Sequence, residues 1–165
     1  MTDVPPTIVT LEVGDVAPVF SLPDGEGAVV ELASLRGQWV VVYFYPRDNT
    51  PGCTKEACGF RQHYAALQVK NVQVLGISTD TAASHQKFSR KYSLPFPLLV
   101  DDDGAVAQAY GSYGPKQFMG KEFIGVFRKT FIIDPTGKIA KIYHKVKPDG
   151  HGDEVVKDLR SLQAA

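Results

Sequence analysis

The chain has 165 residues, 44% of them hydrophobic and 22% charged, which suits about one domain with a core that needs no disulfide staples. Its 15 Gly and 11 Pro fall short of low-complexity or collagen-like composition. Eighteen basic residues balance eighteen acidic ones, so nothing builds the single-sign field that a nucleic-acid or anionic-membrane binder requires. The expected partners are small molecules and proteins.

After an extended entry at Phe20-Ser-Leu, Asp24-Gly25 followed by Val29-Val-Glu-Leu32 reads as a short hairpin. Trp39 to Tyr45 is a bulky run without polar alternation, the signature of a central strand covered on both faces. From about Cys53 to Val69, Ala57, Phe60, Tyr64 and Leu67 recur at helical spacing, with Thr50 or Gly52 as the N-terminal boundary. Val72–Ile77, Phe96–Val100 and the segments Thr81–Tyr92 and Gly104–Tyr110 continue as strand, strand, helix and short helix. Asp101-Asp-Asp-Gly104 lacks the alternation of a calcium loop and reads as helix capping. Gly120-Lys-Glu-Phe-Ile-Gly125 has the glycine spacing of a phosphate loop, but Val126 and Phe127 stand where Lys and Ser/Thr are required, so it reads as a plain loop. Phe127–Asp134 and Lys138–His144 flank the turn Pro135-Thr136-Gly137 as an antiparallel hairpin, and Asp153–Leu162 closes the chain as a helix. This order predicts an α/β, thioredoxin-like fold: a central mixed sheet flanked by helices, with an added N-terminal hairpin. With no repeat and no linker, one continuous domain over residues 1–165 is expected.

The longest apolar run, Trp39–Tyr45, has seven residues where about 20 are required to span a bilayer, and no membrane role is expected. The N-terminus, MTDVPPTIVT, has neither the basic and apolar regions of a signal peptide nor the Arg-rich pattern of a transit peptide, which reads as a cytoplasmic address. Two cysteines are too few for a disulfide framework, and a reducing compartment would open an ordinary structural bridge.

Tyr45-Pro-Arg-Asp-Asn-Thr-Pro-Gly-Cys53-Thr-Lys-Glu-Ala-Cys58 joins the central strand to the first long helix. Loops beyond strand C-termini form the ligand crevice of open α/β sheets, and Cys53 would sit there in the first helical turn. The unpaired N–H groups and dipole of that turn favour thiolate, the nucleophilic form. The alternative is a buried cysteine acting as a small hydrophobe. Cys58 lies five residues on, about 140° around and about 7.5 Å along an ideal helix. A bridge between the two would therefore need the first turn to unwind; otherwise Cys58 is simply a residue of the helix. A zinc site from Cys53, Cys58 and some of His63, His85, His144 and His151 has poor spacing, and surface histidines explain these residues better. A Cys-x-x-Cys dithiol motif is absent.

Pro46-x-x-x-Thr50-x-x-Cys53 resembles the active-site motif of the peroxiredoxins. The fuller run Thr50-Pro-Gly-Cys-Thr-x-Glu56 with Cys58 is similar to the peroxiredoxin Q, or bacterioferritin-comigratory-protein, subfamily. Val13–Asp24 looks like that family's entry strand, and Gly125–Asp134, with Arg128, like its arginine-bearing strand. The resemblance implies that Cys53 is the peroxidatic cysteine and Cys58 the resolving one, with Thr50 bonding thiolate and peroxide, Pro46 shielding the pocket and Arg128 adding positive charge. Without it, Arg128 reads as a surface charge and Thr50 as a helix cap. The implied activity is reduction of hydrogen peroxide and organic hydroperoxides through a sulfenic acid, closure of a disulfide, and reduction by thioredoxin or a similar dithiol. No haem, flavin or metal cofactor is required. The resemblance favours a monomer. A redox sensor that reports peroxide without efficient turnover and a scaffold with inert thiols are the competing readings.

Overall fold

A computed structural model describes residues 9–164; the leaderless reading of the N-terminus falls largely on residues 1–8, outside the described residues. The first hairpin pairs β1 (Ser21–Pro23) with β2 (Val29–Glu31), and the Asp24 carboxylate accepts from the N–H groups of Glu26 and Ala28 to fix its turn. A single 3-10 turn, Leu32–Leu35, leads into β3 (Trp39–Phe44). Next come α1 (Pro51–Val69), β4 (Val72–Ser78), α2 (Ala82–Lys91), β5 (Leu98–Val100) and α3 (Ala105–Ala109). A ribbon of β6 (Tyr113–Phe118) and β7 (Lys121–Val126) precedes β8 (Lys129–Ile133), β9 (Ile139–Tyr143) and α4 (His151–Ala164).

The main sheet runs β5-β4-β3-β8-β9. The strands β3, β4 and β5 are parallel, whereas β8 and β9 are antiparallel to their neighbours. β3 lies at the centre, as its unbroken apolar run predicts. Alternate side chains of a strand point to opposite faces, and β3 divides its core accordingly. Val41 and Tyr43 pack with Ala57, Phe60 and Tyr64 of α1 and Val155 and Leu159 of α4. Val40, Val42 and Phe44 pack on the other face with Phe20, Leu32 and Tyr110. The α/β order, mixed sheet and N-terminal hairpin expected from the sequence are all present.

α1 and α4 meet at two glycines. A β-carbon added to Gly152 would lie 2.6 Å from the carbonyl oxygen of Gly59, far inside van der Waals contact, so only glycine permits this approach. Asp101 and Asp103 cap α3, the Asp101 carboxylate accepting from the N–H groups of Val106 and Ala107 and Asp103 from that of Ala105. Among the described residues, no helix is long and apolar enough to cross a membrane.

Two expectations need correction. The stretch Gly120–Gly125 is not a loop: Lys121–Val126 is β7, paired residue for residue with β6. Met119 and Gly120 at the tip both have positive φ, 52° and 79°, the geometry of a tight two-residue hairpin turn. The ribbon stands apart from the main sheet with most of its side chains exposed, so no buried alternation marks it in the sequence. Nor are the histidines all on the surface. His85 and His151 are buried, held by polar partners in the core: His151 Nε2 lies 2.8 Å from the Thr130 hydroxyl, and His85 belongs to a network beneath the loop that follows β3.

Candidate active site

β3 ends at Phe44, and residues 45–50 turn across the C-terminal edge of the sheet into α1. Pro51 occupies the first helical position, where its missing N–H costs nothing and its fixed φ favours helix entry. Cys53 is thereby placed in the first turn, whose N–H groups have no intrahelical acceptors. It is 2% exposed, packed beside Tyr43, Ala57 and Phe60.

Arg128 reaches this sulfur from the junction of β7 and β8. Its Nη2 lies 3.2 Å from Cys53 Sγ while Nη1 donates to Glu56 Oε1 at 2.7 Å. One planar guanidinium thus grips both the cysteine and the carboxylate one turn further along α1, a fork that a lysine ammonium does not reproduce. Burial works against the charge of Arg128, but Glu56 and Cys53 together hold its pKa above the ordinary value. Burial also acts on Glu56, whose side chain is fully enclosed: desolvation outweighs Arg128 and lifts its pKa from 4.5 to about 7. Its second oxygen, Oε2, and the nearby core hydroxyl of Tyr43 have no hydrogen-bond partner among the described residues. The Lys116 ammonium donates to the carbonyl of Val126 at 2.8 Å; burial, then Arg128, press its pKa down, with Cys53 opposing.

Thr50 occupies the N-cap position but does not cap by its side chain. Its hydroxyl donates to the carbonyl of Arg47 at 3.0 Å, which leaves the oxygen lone pairs free to accept. Pro46 is half-buried two residues beyond the end of β3. Cys58 is half-buried on the same unbroken helix as Cys53, and both thiols are free. It opens onto a cleft of about 310 Å³ lined by Lys55, Gln62, Asp149 and Asp153 among others.

Of the five residues singled out in the sequence, Cys53 and Arg128 are in contact, Thr50 and Pro46 stand on the loop before them, and Cys58 lies beyond helical reach. Glu56 stands in the motif, but the sequence alone assigns it no role. Its i+3 spacing from Cys53 places the two on one helix face, which is the signal that finds it. The sulfur and imidazole groups considered for zinc do not converge. Among the described residues, the cluster with metal-ligand spacing is instead Asp48, Asp80 and His85, whose facing atoms already serve protein partners.

A thioredoxin-like sheet presenting one enclosed cysteine at a helix start, gripped by an arginine, defines a thiol-redox protein of the peroxiredoxin class. The AhpC/TSA family model matches residues 13–142, and the chain belongs to that family. A peroxiredoxin bcp relative from Coxiella burnetii is 50% identical over 150 residues, covering 91% of this chain and 99% of its own. Peroxiredoxin Bcp of Escherichia coli is 45% identical over 150 residues, covering 91% and 96%. Among solved structures, a PrxQ mutant of Xylella fastidiosa superimposes with a TM-score of 0.87 at 32% identity over 93% of this chain and 98% of that one. The bacterioferritin comigratory protein of Xanthomonas campestris, studied for alkyl peroxide reduction, gives 0.83 at 35% identity over 87% and 92%. Within the family the relatives are therefore of the Bcp, or peroxiredoxin Q, group.

Proposed function

We propose that this peroxiredoxin, a thiol-dependent peroxidase, turns over through Cys53 as the attacking thiolate and Cys58 as the resolving thiol. The observation that carries the reading is the Arg128 fork, which sets a cation 3.2 Å from Cys53 Sγ and stabilises negative charge on the sulfur and on the oxygen that leaves as the O–O bond breaks. Cys53 attacks the terminal oxygen of a hydroperoxide, the O–O bond breaks, and the alkoxide or hydroxide leaves with a proton as alcohol or water. Cys53 retains the transferred oxygen as a sulfenic acid. Thr50 is suited to accept from the hydroperoxide O–H, and Pro46 to shield the loop side of the pocket. The start of α1 then unwinds, and Cys58 attacks the sulfenic sulfur, expelling water and closing a disulfide. An external dithiol such as thioredoxin reduces it. Hydrogen peroxide and organic hydroperoxides are the substrate class, antioxidant defence the role, the cytoplasm the location and the monomer the working unit.

Hydroperoxide consumption coupled to a thioredoxin system tests this cycle. Cys53→Ser should abolish turnover. Cys58→Ser should complete one turnover and stop as a sulfenic acid that a dimedone-type probe traps. Undiminished repeated turnover by Cys58→Ser would remove Cys58 from the resolving role.

A further inference from the structure

The loop that precedes Cys53 is fastened through its side chains to α2. The Asp48 side chain, buried beneath that loop, accepts from the Tyr45 hydroxyl at 2.6 Å and from the Ser84 hydroxyl at 2.8 Å, and meets His85 Nδ1 at 2.7 Å. His85 is fully buried, and its other nitrogen lies 2.8 Å from the carbonyl of Leu99. A carbonyl only accepts, so Nε2 carries a proton, and the Nδ1 edge shares a proton with the Asp48 carboxylate. The Asp48 N–H donates to Asp80, which is itself fixed by Ser78. The next residue, Asn49, has φ 56°, an uncommon left-handed conformation, and its side-chain oxygen accepts from Lys91 and Tyr92 at 3.3 Å each. Two consecutive residues are thus bolted to α2 and its flanks immediately before Thr50, whereas the start of α1 follows through the ordinary helical bond from Thr54 N–H to the Thr50 carbonyl.

A buried charged or proton-sharing pair is costly unless every partner is satisfied, and here Asp48 and His85 are satisfied by Tyr45, Ser84 and the Leu99 carbonyl. We propose that the Asp48–His85 pair is a positioning element of the peroxidase site, holding Pro46 and Thr50 in register for the hydroperoxide and keeping them there while the start of α1 unwinds. This rests on the assignment of Cys53 as the peroxide-reactive thiol. The pair touches neither sulfur nor substrate, and its contribution is to the geometry of the peroxide cradle. Loss of the pair should slow attack on peroxide, which needs that cradle, while sparing reaction with a simple alkylating agent, which does not.

The test compares two rates on the full-length reduced protein: oxidation of Cys53 by hydrogen peroxide and alkylation of Cys53 by iodoacetamide, both followed by intact mass in a Cys58→Ser background. Asp48→Asn and His85→Gln should each lower the peroxide rate about tenfold or more with alkylation within about twofold of the parent. Ser84→Ala, which removes one donor from Asp48 and leaves the core filled, should lower the peroxide rate severalfold in the same selective way and serves if the buried variants do not fold. Peroxide rates within twofold of the parent, or peroxide and alkylation rates falling in parallel, would overturn the positioning role. A parent protein whose Cys53 reacts with peroxide no faster than free cysteine would instead defeat the peroxidase reading, and this one with it.

Discussion

Glu56 is the residue whose titration should be visible in the stability of the whole chain. Its pKa is about 7 in the fold against an ordinary 4.5, so between those values the folded protein binds protons that the unfolded chain has released. Stability contributed by the protonated carboxyl is present below the ordinary value and is lost as pH rises through about 7, by a total on the order of 3 kcal/mol. Glu56→Gln keeps the shape and an acceptor for Arg128 without a carboxyl to ionise. The variant should gain stability relative to the parent as pH rises from about 5 to 7, measured by urea unfolding; parallel profiles would place the Glu56 titration elsewhere. At the same site, Arg128→Lys keeps the charge but cannot span both Cys53 and Glu56. A loss of roughly 100-fold or more in the rate of Cys53 oxidation is expected, by analogy with removal of one donor from a charge-stabilising site.

At the scale of elements, α1 decides the chemistry because it is both the platform for Cys53 and the obstacle to Cys58. The two thiols sit on an unbroken helix from Pro51 to Val69, so a disulfide between them requires the first turns to open. Far-UV circular dichroism should lose about one to two turns of helix on oxidation and regain them on reduction, and an unchanged spectrum in a fully disulfide-bonded sample would contradict local unwinding. The middle of α1 is clamped by Gly152 against Gly59, next to Cys58. Gly152→Ala should force α4 away and cost about 1–3 kcal/mol in urea unfolding, as overpacking does. α1 itself was legible in the sequence, since Ala57, Phe60, Tyr64 and Leu67 carry a clean helical period that becomes its buried face. The β6–β7 ribbon was not. Its strands are too exposed to alternate, Pro115 interrupts one of them, and the turn is made by Met119, a residue that gives no turn signal.

Across the whole molecule, legibility follows sequence distance. The α/β order, the central strand and the position of Cys53 at a helix start are local or near-local patterns, and a reading of residues in chain order reaches them. Arg128 lies 75 positions from Cys53, and only the resemblance to a family's strand pointed to it. The Asp48–His85 contact, whose partners stand 37 positions apart, carries no local signature at all: each residue alone reads as a loop aspartate and a helix histidine. What joins these positions is the sheet, which carries the β3 loop, the start of α2 and the β7–β8 junction to one end of the fold. The two cysteines carried to that end are proposed to form a peroxide-driven pair. The most direct test is intact mass and free-thiol count of the fully reduced protein within seconds of adding one equivalent of hydrogen peroxide, beside free cysteine. Rapid loss of both thiols and two hydrogens from each chain is expected; both thiols intact while peroxide remains would contradict the pairing.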